Sequence, residues 1–203
     1  MNTPVLFDKS ECPFCWKVRL ALALKGITVE RHSVDTRDKP PEFLALSPKG
    51  TVPVLVIDSR VIDESSQIIS WADSLHSDVP PLRDAKSADL EQLSDKVIGS
   101  GIRDHIFMRR DKPKHQWDAA TTRRCQCAWD QILDTLEVAC HPDGPWFLGL
   151  NASVADCALG ARIALANHYG LTGLATRVKL QAWYTRLQTT AQWRIAAAPI
   201  GLN

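Results

Sequence analysis

A proline between two cysteines is the feature that most restricts how this chain can fold. The motif Cys12-Pro13-Phe14-Cys15 stands between a short apolar strand at residues 5–7 and an amphipathic helical segment that ends near Lys25. Proline is favoured at the first position of a helix because the N–H that it lacks would be unpaired there, so Cys12 is expected at the N-cap. The first-turn amides and the positive end of the helix dipole stabilise a thiolate and lower the pKa of a cysteine from about 8.5. The motif therefore predicts that Cys12 is a nucleophile.

The second cysteine of the motif has a different expected part. Cys15 lies three residues further on the same helical face, where its sulfur could form a disulfide with Cys12 or attack a mixed disulfide. Zinc would need a second pair of ligands, and Cys125 and Cys127 would point about 200° apart on a helix. The chain shows no secretory signal, which also makes a structural disulfide unexpected. We therefore favour redox or nucleophilic chemistry and expect no metal.

Composition and charge narrow the functional classes. The 203 residues are 45% apolar and carry a formal net charge of +1, so no overall field attracts nucleic acids or membranes. A basic cluster between Arg103 and Lys114 has no groove-binding motif beside it, and we expect no nucleic-acid partner. The N-terminus lacks a basic or apolar signal segment and no run reaches 18 apolar residues, so we expect no membrane association and a cytoplasmic location.

The order of the predicted elements indicates two domains. Strand and helix signals follow the order βαβ, helix, ββ, helix up to His76, with the second strand expected at 27–31 and Gly26 ending the first helix. A Cys-x-x-Cys at the first turn of a βαβ unit is typical of a thioredoxin-like fold. Beyond a proline-containing linker at 77–84, strand signals almost disappear. We therefore predict an α/β thioredoxin-like N-terminal domain at residues 1–78 and an all-α, helical C-terminal domain at residues 85–203.

Two patterns describe the helical half. Leu90, Leu93 and Val97 form an apolar stripe at helical spacing. Ser153 and Asp156 match a capping box, which predicts a helix that begins directly after Ser153.

Three spaced motifs carry a family resemblance. They are the Cys-Pro-Phe-Cys turn, Thr51-Val52-Pro53 before a strand, and Asp63-Glu64-Ser65 before a helix. With them, the chain resembles the soluble glutathione transferase superfamily over nearly its whole length. The turn, with Arg19 seven residues after Cys12, looks like the cysteine-type branch of omega-class transferases, dehydroascorbate reductases and glutaredoxin-like members. The run at 20–27 is also similar to zeta-class isomerases, whose serine-rich active-site stretch is here replaced by Cys-Pro-Phe-Cys.

The resemblance implies a binding site for glutathione as co-substrate. A cis Val52-Pro53 bond would let the backbone of Val52 pair with the cysteinyl part of glutathione like an extra strand. The helix start at Ser65 suits the γ-glutamyl carboxylate, the Glu64 carboxylate suits the ammonium group, and Lys49 suits the glycyl carboxylate. The implied glutathione residues are Phe14, Lys49, Val52, Pro53, Glu64 and Ser65.

The leading functional hypothesis is a glutathione-dependent thiol transferase or reductase. Cys12 would attack a small disulfide or an electrophile, and glutathione or Cys15 would resolve the mixed disulfide. The alternatives are a conventional conjugating transferase or isomerase, in which the thiolate of glutathione attacks, and a non-catalytic interaction module with the same fold.

The resemblance also implies a role for one helix face of the C-terminal domain and an oligomeric state. Ile98, Ile102 and His105 share a helix face that would border the active-site cleft in this family, and we expect it to line the second-substrate pocket or to pack on a partner subunit. The family resemblance further implies a homodimer.

Overall fold

The computed structural model describes residues 3–75 and 80–197, which belong to two compact units. The first unit contains the residues up to Arg83 together with the segment that begins at Ala191, and the second runs from Asp84 to Thr190. The predicted domains, 1–78 and 85–203, stay a prediction, and residue 78 lies outside the described ranges. The sequence did not predict that the segment that begins at Ala191 belongs to the first unit.

The first unit is built on a mixed four-stranded sheet with the order β2-β1-β3-β4. Strand β1 (Val5–Asp8) pairs in parallel with β2 (Glu30–Ser33) and antiparallel with β3 (Val54–Ile57), and β4 (Arg60–Ile62) pairs antiparallel with β3. A helix connects the two parallel strands, as a parallel pair requires. This arrangement confirms the thioredoxin-like α/β class of the N-terminal region.

The described ranges contain nine α-helices. They are α1 (Pro13–Leu24), α2 (Pro41–Leu46), α3 (Ser65–Leu75), α4 (Ala85–Gln92), α5 (Gly99–Asp111), α6 (Ala119–Ala139), α7 (Val154–His168), α8 (Val178–Thr189) and α9 (Ala191–Ala196). A π-helical turn, Leu93–Ile98, joins α4 to α5, and short 3₁₀ turns occupy Lys114–Gln116 and Leu174–Thr176. None of the helices in these ranges is long and apolar enough to cross a membrane.

The second strand begins later than the sequence indicates, and the end of α1 explains why. Gly26 has a φ of +68°, and its N–H donates to the carbonyl of Ala23 while the N–H of Ile27 donates to that of Leu22. These two bonds form a Schellman motif, which uses Ile27 to cap the helix. Pairing with β1 therefore starts only at Glu30, and the predicted strand at 27–31 is wrong by about three residues at its start.

One face of the first unit's sheet carries a compact apolar cluster. Val34, Phe43 and Val54 are buried there, and partly buried side chains of Phe7 and Val56 pack against them. Burial of such side chains stabilises a fold by about 1.5–3 kcal/mol each. The cluster fixes β1 and β3, the strands that lead to the Cys-Pro-Phe-Cys turn and away from Val52-Pro53.

The second unit is mostly helical, as predicted. Its most buried element is α7, whose N-terminus has the predicted capping box: the N–H and the hydroxyl of Ser153 both donate to the carboxylate of Asp156, at 2.9 Å each. Apart from the isolated bridge between Trp146 and Gly149, the described residues of this unit form no β-pairing.

The apolar stripe expected along the first helix of this unit is not its buried face. Val97 is 53% exposed, whereas Ser94 and Ile98 are buried. The hydroxyl of Ser94 donates to the carbonyl of Ala158 in α7. A short polar side chain that is hydrogen-bonded can be buried with little loss of free energy, so this face packs on α7 even though its sequence looks less apolar.

Candidate active site

The N-terminus of α1 holds Cys12 as the sequence predicts. Cys12 is the N-cap residue, with φ −80° and ψ 120°, and Pro13 is the first helical residue. The carbonyl of Cys12 accepts the first hydrogen bond of the helix from Trp16, at 2.9 Å, and its N–H donates to the carbonyl of Lys9, at 3.1 Å. Both backbone groups of Cys12 are therefore fixed, which restricts where its side chain can point.

The Cys12 side chain is partly exposed and faces a second backbone segment. Its Sγ lies 4.0 Å from the carbonyl oxygen of Val52, and the Val52–Pro53 peptide bond is cis. Within the described turn, no hydrogen bond joins the Cys12 sulfur to a first-turn amide. The Cys12 side chain therefore does not cap α1, and its sulfur faces the Val52 carbonyl instead.

Cys15 has a contrasting environment. Its side chain is fully buried, and its sulfur accepts a hydrogen bond from the N–H of Lys9, at 3.4 Å. Burial raises the pKa of the Cys15 thiol well above its usual value, and its hydrogen bond to Cys12 and the charge on Cys12 raise it further. A thiol with a raised pKa carries little thiolate at neutral pH, so Cys15 is the poorer nucleophile of the pair.

An ion cluster around the buried carboxylate of Asp8 lies behind the cysteine turn. The carboxylate of Asp8, at the end of β1, accepts hydrogen bonds from Arg19 Nη1 at 2.7 Å and from Arg31 Nε and Nη2 at 3.1 and 2.9 Å. Burial lowers the pKa of Arg19, and the charge of Asp8 opposes this shift. In the sequence, Arg19 was recognised only as part of a motif, and Asp8 was not recognised as a site residue. The available signal was the charged residue at the end of an otherwise apolar strand.

Three residues predicted for glutathione lie around the start of α3. Glu64 precedes the helix and its carbonyl accepts from the N–H of Ile68, at 3.0 Å. Its exposed carboxylate forms an ion pair with the Lys49 ammonium group, with 3.3 Å between Nζ and Oε1. Ser65 is the first helical residue and is buried. The structure thus brings Lys49 and Glu64 together, and separately Cys12 and Val52.

The other predicted residues are placed as follows. Phe14 lies in the first turn of α1, with the ammonium group of Lys17 5.4 Å from its ring centroid. Ile98, Ile102 and His105 are all buried, and His105 Nε2 lies 2.9 Å from the carbonyl oxygen of Tyr169. Burial lowers the pKa of His105. The assignment of these three residues to a second-substrate pocket stays a prediction.

The placement of the side chains that could bind a metal ion bears on the metal prediction. Within residues 3–75 and 80–197, no three His, Cys, Asp or Glu side chains are grouped in a way that could hold a metal ion. The expectation that the chain needs no metal stays a prediction.

Comparison with known proteins places the chain in a family. Residues 11–75 match the family model for the glutathione S-transferase N-terminal domain. The chain is 35% identical over 177 residues to a probable maleylacetoacetate isomerase of Caenorhabditis elegans, and the match covers 83% of this chain and 81% of that relative. The chain therefore belongs to the glutathione transferase family, a family of enzymes that use glutathione as a substrate.

Two further similarities are more distant. Glutathione S-transferase DHAR3, chloroplastic, of Arabidopsis thaliana is 28% identical over 153 residues, which cover 75% of this chain and 54% of that relative. A glutathione transferase family member from Pseudomonas fluorescens, solved with two glutathione molecules bound, superposes with a TM-score of 0.81 at 18% identity and covers 97% of this chain and 93% of that one. At this identity the structural match supports the fold alone.

Proposed function

We propose that this protein is a glutathione-dependent thiol transferase or reductase of the cysteine-type branch, with Cys12 as its nucleophile. The observation that carries the proposal is the difference between the two cysteines. The Cys12 sulfur is partly exposed at the N-terminus of α1, while Cys15 is buried with a raised pKa. One thiol of the pair is thus suited to attack and the other is not.

The reaction requires two thiol–disulfide exchanges. The Cys12 thiolate attacks the glutathionyl sulfur of a mixed disulfide, the old S–S bond breaks, and the released thiolate takes a proton from water. The thiolate of a second glutathione then attacks the sulfur of glutathione bound to Cys12. Oxidised glutathione leaves, and the Cys12 thiolate is restored. Neither step needs Cys15.

In this proposal glutathione binds between the Val52 backbone, just before β3, and the start of α3. The carbonyl of Val52 is 4.0 Å from the Cys12 sulfur, so a peptide that pairs with the Val52 backbone would bring its own cysteine towards Cys12. The start of α3 offers first-turn amides to the γ-glutamyl carboxylate. The Glu64 carboxylate and the Lys49 ammonium group would exchange their mutual ion pair for the oppositely charged ends of glutathione. Membership of the glutathione transferase family supports this choice of ligand.

An isomerase or conjugating transferase is the second candidate function. The 35% identity to a probable maleylacetoacetate isomerase favours it. In this class the thiolate of bound glutathione attacks the second substrate, so Cys12 is not required. The Cys-Pro-Phe-Cys turn, in place of the serine-rich stretch of zeta-class isomerases, is the reason that we rank thiol transfer first.

The cellular setting belongs to the same proposal. A reducing compartment keeps glutathione and Cys12 as thiols, and we propose that the protein acts in the cytoplasm as a homodimer, with a small disulfide or an electrophile as its second substrate.

Turnover of a glutathione mixed disulfide by three variants tests the proposal. We expect Cys12→Ser to lose nearly all activity, Cys15→Ser to keep most of it, and Cys127→Ser, which changes an exposed cysteine of α6, to match the wild type. Conjugation of glutathione to a chlorinated aromatic acceptor is measured beside it. Conjugation that survives Cys12→Ser, without mixed-disulfide turnover, would favour the second candidate. Activity in neither assay would favour an interaction module.

A further inference from the structure

The guanidinium group of Arg19 is hydrogen-bonded to three consecutive residues, the last of β1 and the first two of the loop that leads to Cys12. Arg19 is only 4% exposed. Its Nη1 donates to the Asp8 carboxylate at 2.7 Å and to the carbonyl of Lys9 at 3.5 Å, and its Nη2 donates to the carbonyl of Ser10 at 3.1 Å. The planar fork of arginine can hold several acceptors in fixed directions, which a lysine ammonium group cannot do. A side chain from the middle of α1 therefore holds the loop, in addition to the first turn of that helix.

Both cysteines of the motif depend on this loop through one residue. The Lys9 carbonyl accepts from the N–H of Cys12, at 3.1 Å, and the Lys9 N–H donates to the sulfur of Cys15, at 3.4 Å. A displacement of the Lys9 peptide would move the backbone of Cys12 and remove a hydrogen bond from Cys15 in the same event. The Lys9 backbone thus links the Arg19 guanidinium group to the backbone of Cys12 and to the sulfur of Cys15.

The remaining hydrogen bond of Arg19 joins residues 8–10, through its side chain, to α9. Arg19 Nε donates to the carbonyl of Ala196, at 2.9 Å, across 177 positions of sequence. Ala196 is the last residue of α9, where helix carbonyls have no partner within the helix and a cation is favoured. The indole rings of Trp16 and Trp193, 5.2 Å apart between centroids, pack α9 on α1 beside this bond. Arg19 is held on one side by α9 while it holds the loop on the other.

We propose that Arg19 is a positioning residue for the Cys12 thiol, which it orients by fixing residues 8–10 between α1 and the end of α9. The inference rests on the proposed function only in naming Cys12 as the nucleophile. It goes further by making α9 part of the support of the cysteine turn.

The charge of the cluster adds to the effect of geometry. Asp8 carries one negative charge, and Arg19 and Arg31 each carry one positive charge, so the group behind the turn is net positive. Positive charge on the arginines favours a nearby thiolate, and the negative charge of Asp8 opposes it, as its raising effect on the pKa of Cys15 shows. A lysine at position 19 would preserve this charge but would lose the fixed contacts to Lys9 and Ser10, which allows the two contributions to be separated.

Alkylation of Cys12 by iodoacetamide as a function of pH tests the proposal without glutathione or a second substrate. All proteins carry Cys127→Ser, so that Cys12 is the accessible thiol that is followed, with the modified residue identified by mass spectrometry. We expect Arg19→Gln to slow alkylation at pH 7 about tenfold and to raise the midpoint of the pH profile by about one unit, since tenfold less thiolate corresponds to one unit. Arg19→Lys is expected to slow alkylation by a smaller factor.

The matched control is Arg177→Gln in the second unit. Arg177 also bonds several acceptors, with Nε and Nη2 donating to Asp134 at 3.0 and 2.9 Å and Nη1 donating to the carbonyl of Gly173 at 2.9 Å. It should lose a similar amount of thermal stability while keeping the wild-type alkylation profile. An altered profile in this control would show that general loosening causes the effect and would overturn the proposal.

The alkylation profiles of the two Arg19 variants decide whether Arg19 positions the Cys12 thiol. Arg19→Lys keeps the ion pair with Asp8 and is the variant used if Arg19→Gln does not fold. A wild-type alkylation profile in a folded Arg19 variant would overturn the proposal. Failure of the wild type to turn over a glutathione mixed disulfide would instead contradict the proposed function, and the alkylation result would stand independently of it.

Discussion

The N-terminus of α7 is covered by side chains, whereas α1 begins behind a cysteine that makes no capping hydrogen bond. At α7 the Asp156 carboxylate accepts from Ser153 and also from the N–H of Phe147 and the indole N–H of Trp183, at 2.8 Å each. At α1 the N-cap sulfur points towards Val52. The carboxylate in the first turn of α7 is saturated by donors that stabilise the fold, whereas the sulfur at the start of α1 stays partly exposed.

This difference indicates how stability and chemistry are divided within the molecule. Burial raises the pKa of Asp156, and the hydrogen bonds that it accepts oppose this shift. The cysteine turn has its fixed contacts behind it, in the backbone of Lys9 and the side chain of Arg19, and these leave the sulfur partly exposed.

The largest loss of stability is expected when the Asp156 carboxylate is removed from the N-terminus of α7. Asp156→Ala leaves buried donors of Phe147, Ser153 and Trp183 without their acceptor, and each such loss costs about 1–3 kcal/mol. We expect the free energy of unfolding, measured in urea, to fall by about 3–5 kcal/mol.

An exposed aspartate cap provides the control for this change. Asp118 accepts from the N–H groups of Ala120 and Thr121 at the start of α6, and Asp118→Ala should cost about 1 kcal/mol, as is usual for an N-cap. Equal losses from the two substitutions would show that Asp156 is no more than an ordinary cap.

A smaller effect of opposite sign is expected at α1. Serine is a preferred N-cap and cysteine is not, and the backbone of residue 12 is already extended. Cys12→Ser should therefore raise the free energy of unfolding by about 0.5–1 kcal/mol while it removes thiol chemistry. Chemical denaturation of the reduced wild type and of Cys12→Ser measures this, with Cys127→Ser as the control. A less stable Cys12→Ser protein would mean that the sulfur already stabilises the helix start.

The smallest effect concerns the other end of α7 and depends on pH. His105 Nε2 lies 2.9 Å from the carbonyl oxygen of Tyr169, the C-cap of α7, and burial lowers the pKa of His105 below its usual value near 6.5. The unfolded chain binds the proton more readily, so the contribution of neutral His105 to stability is present above pH 6.5 and is lost as the pH falls below it.

Comparing stability at pH 7.5 and pH 5.5 isolates this contribution. His105→Gln should be less stable than the wild type at pH 7.5 but should lose less stability on acidification, because glutamine does not titrate. His115→Gln, which changes an exposed histidine, should follow the wild type at both pH values. If His105→Gln shows the same pH dependence as the wild type, His105 does not contribute to it.

Local signals in the sequence were sufficient for the cysteine turn and the α7 cap, because each depends on residues within a few positions of one another. Pro13 fixes the N-cap at Cys12, and Asp156 reaches back only three residues to Ser153. The start of β2 was misplaced because the Schellman motif at Gly26 uses Ile27, a residue whose β-branched side chain favours a strand.

Contacts between distant residues could not be found in this way. Arg19 binds carbonyl groups, which every residue has, and one of them lies 177 positions away. The buried face around Ser94 was missed because its polarity is compensated by the carbonyl of Ala158 in another helix. The sequence shows the residue type in such cases but not the partner that makes burial possible.

The grouping of α9 with the first unit has a consequence for the order in which the protein assembles on the ribosome. Domains generally fold as units, with N-terminal ones first during synthesis. Here the strands and first helices of the first unit emerge early, but the carbonyl of Ala196 that Arg19 binds is made only after the second unit. Every residue of the second unit, Asp84 to Thr190, leaves the ribosome before it. The support of the cysteine turn is thus complete only after the second unit has been synthesised, so a nascent chain cannot finish its thiol site before then.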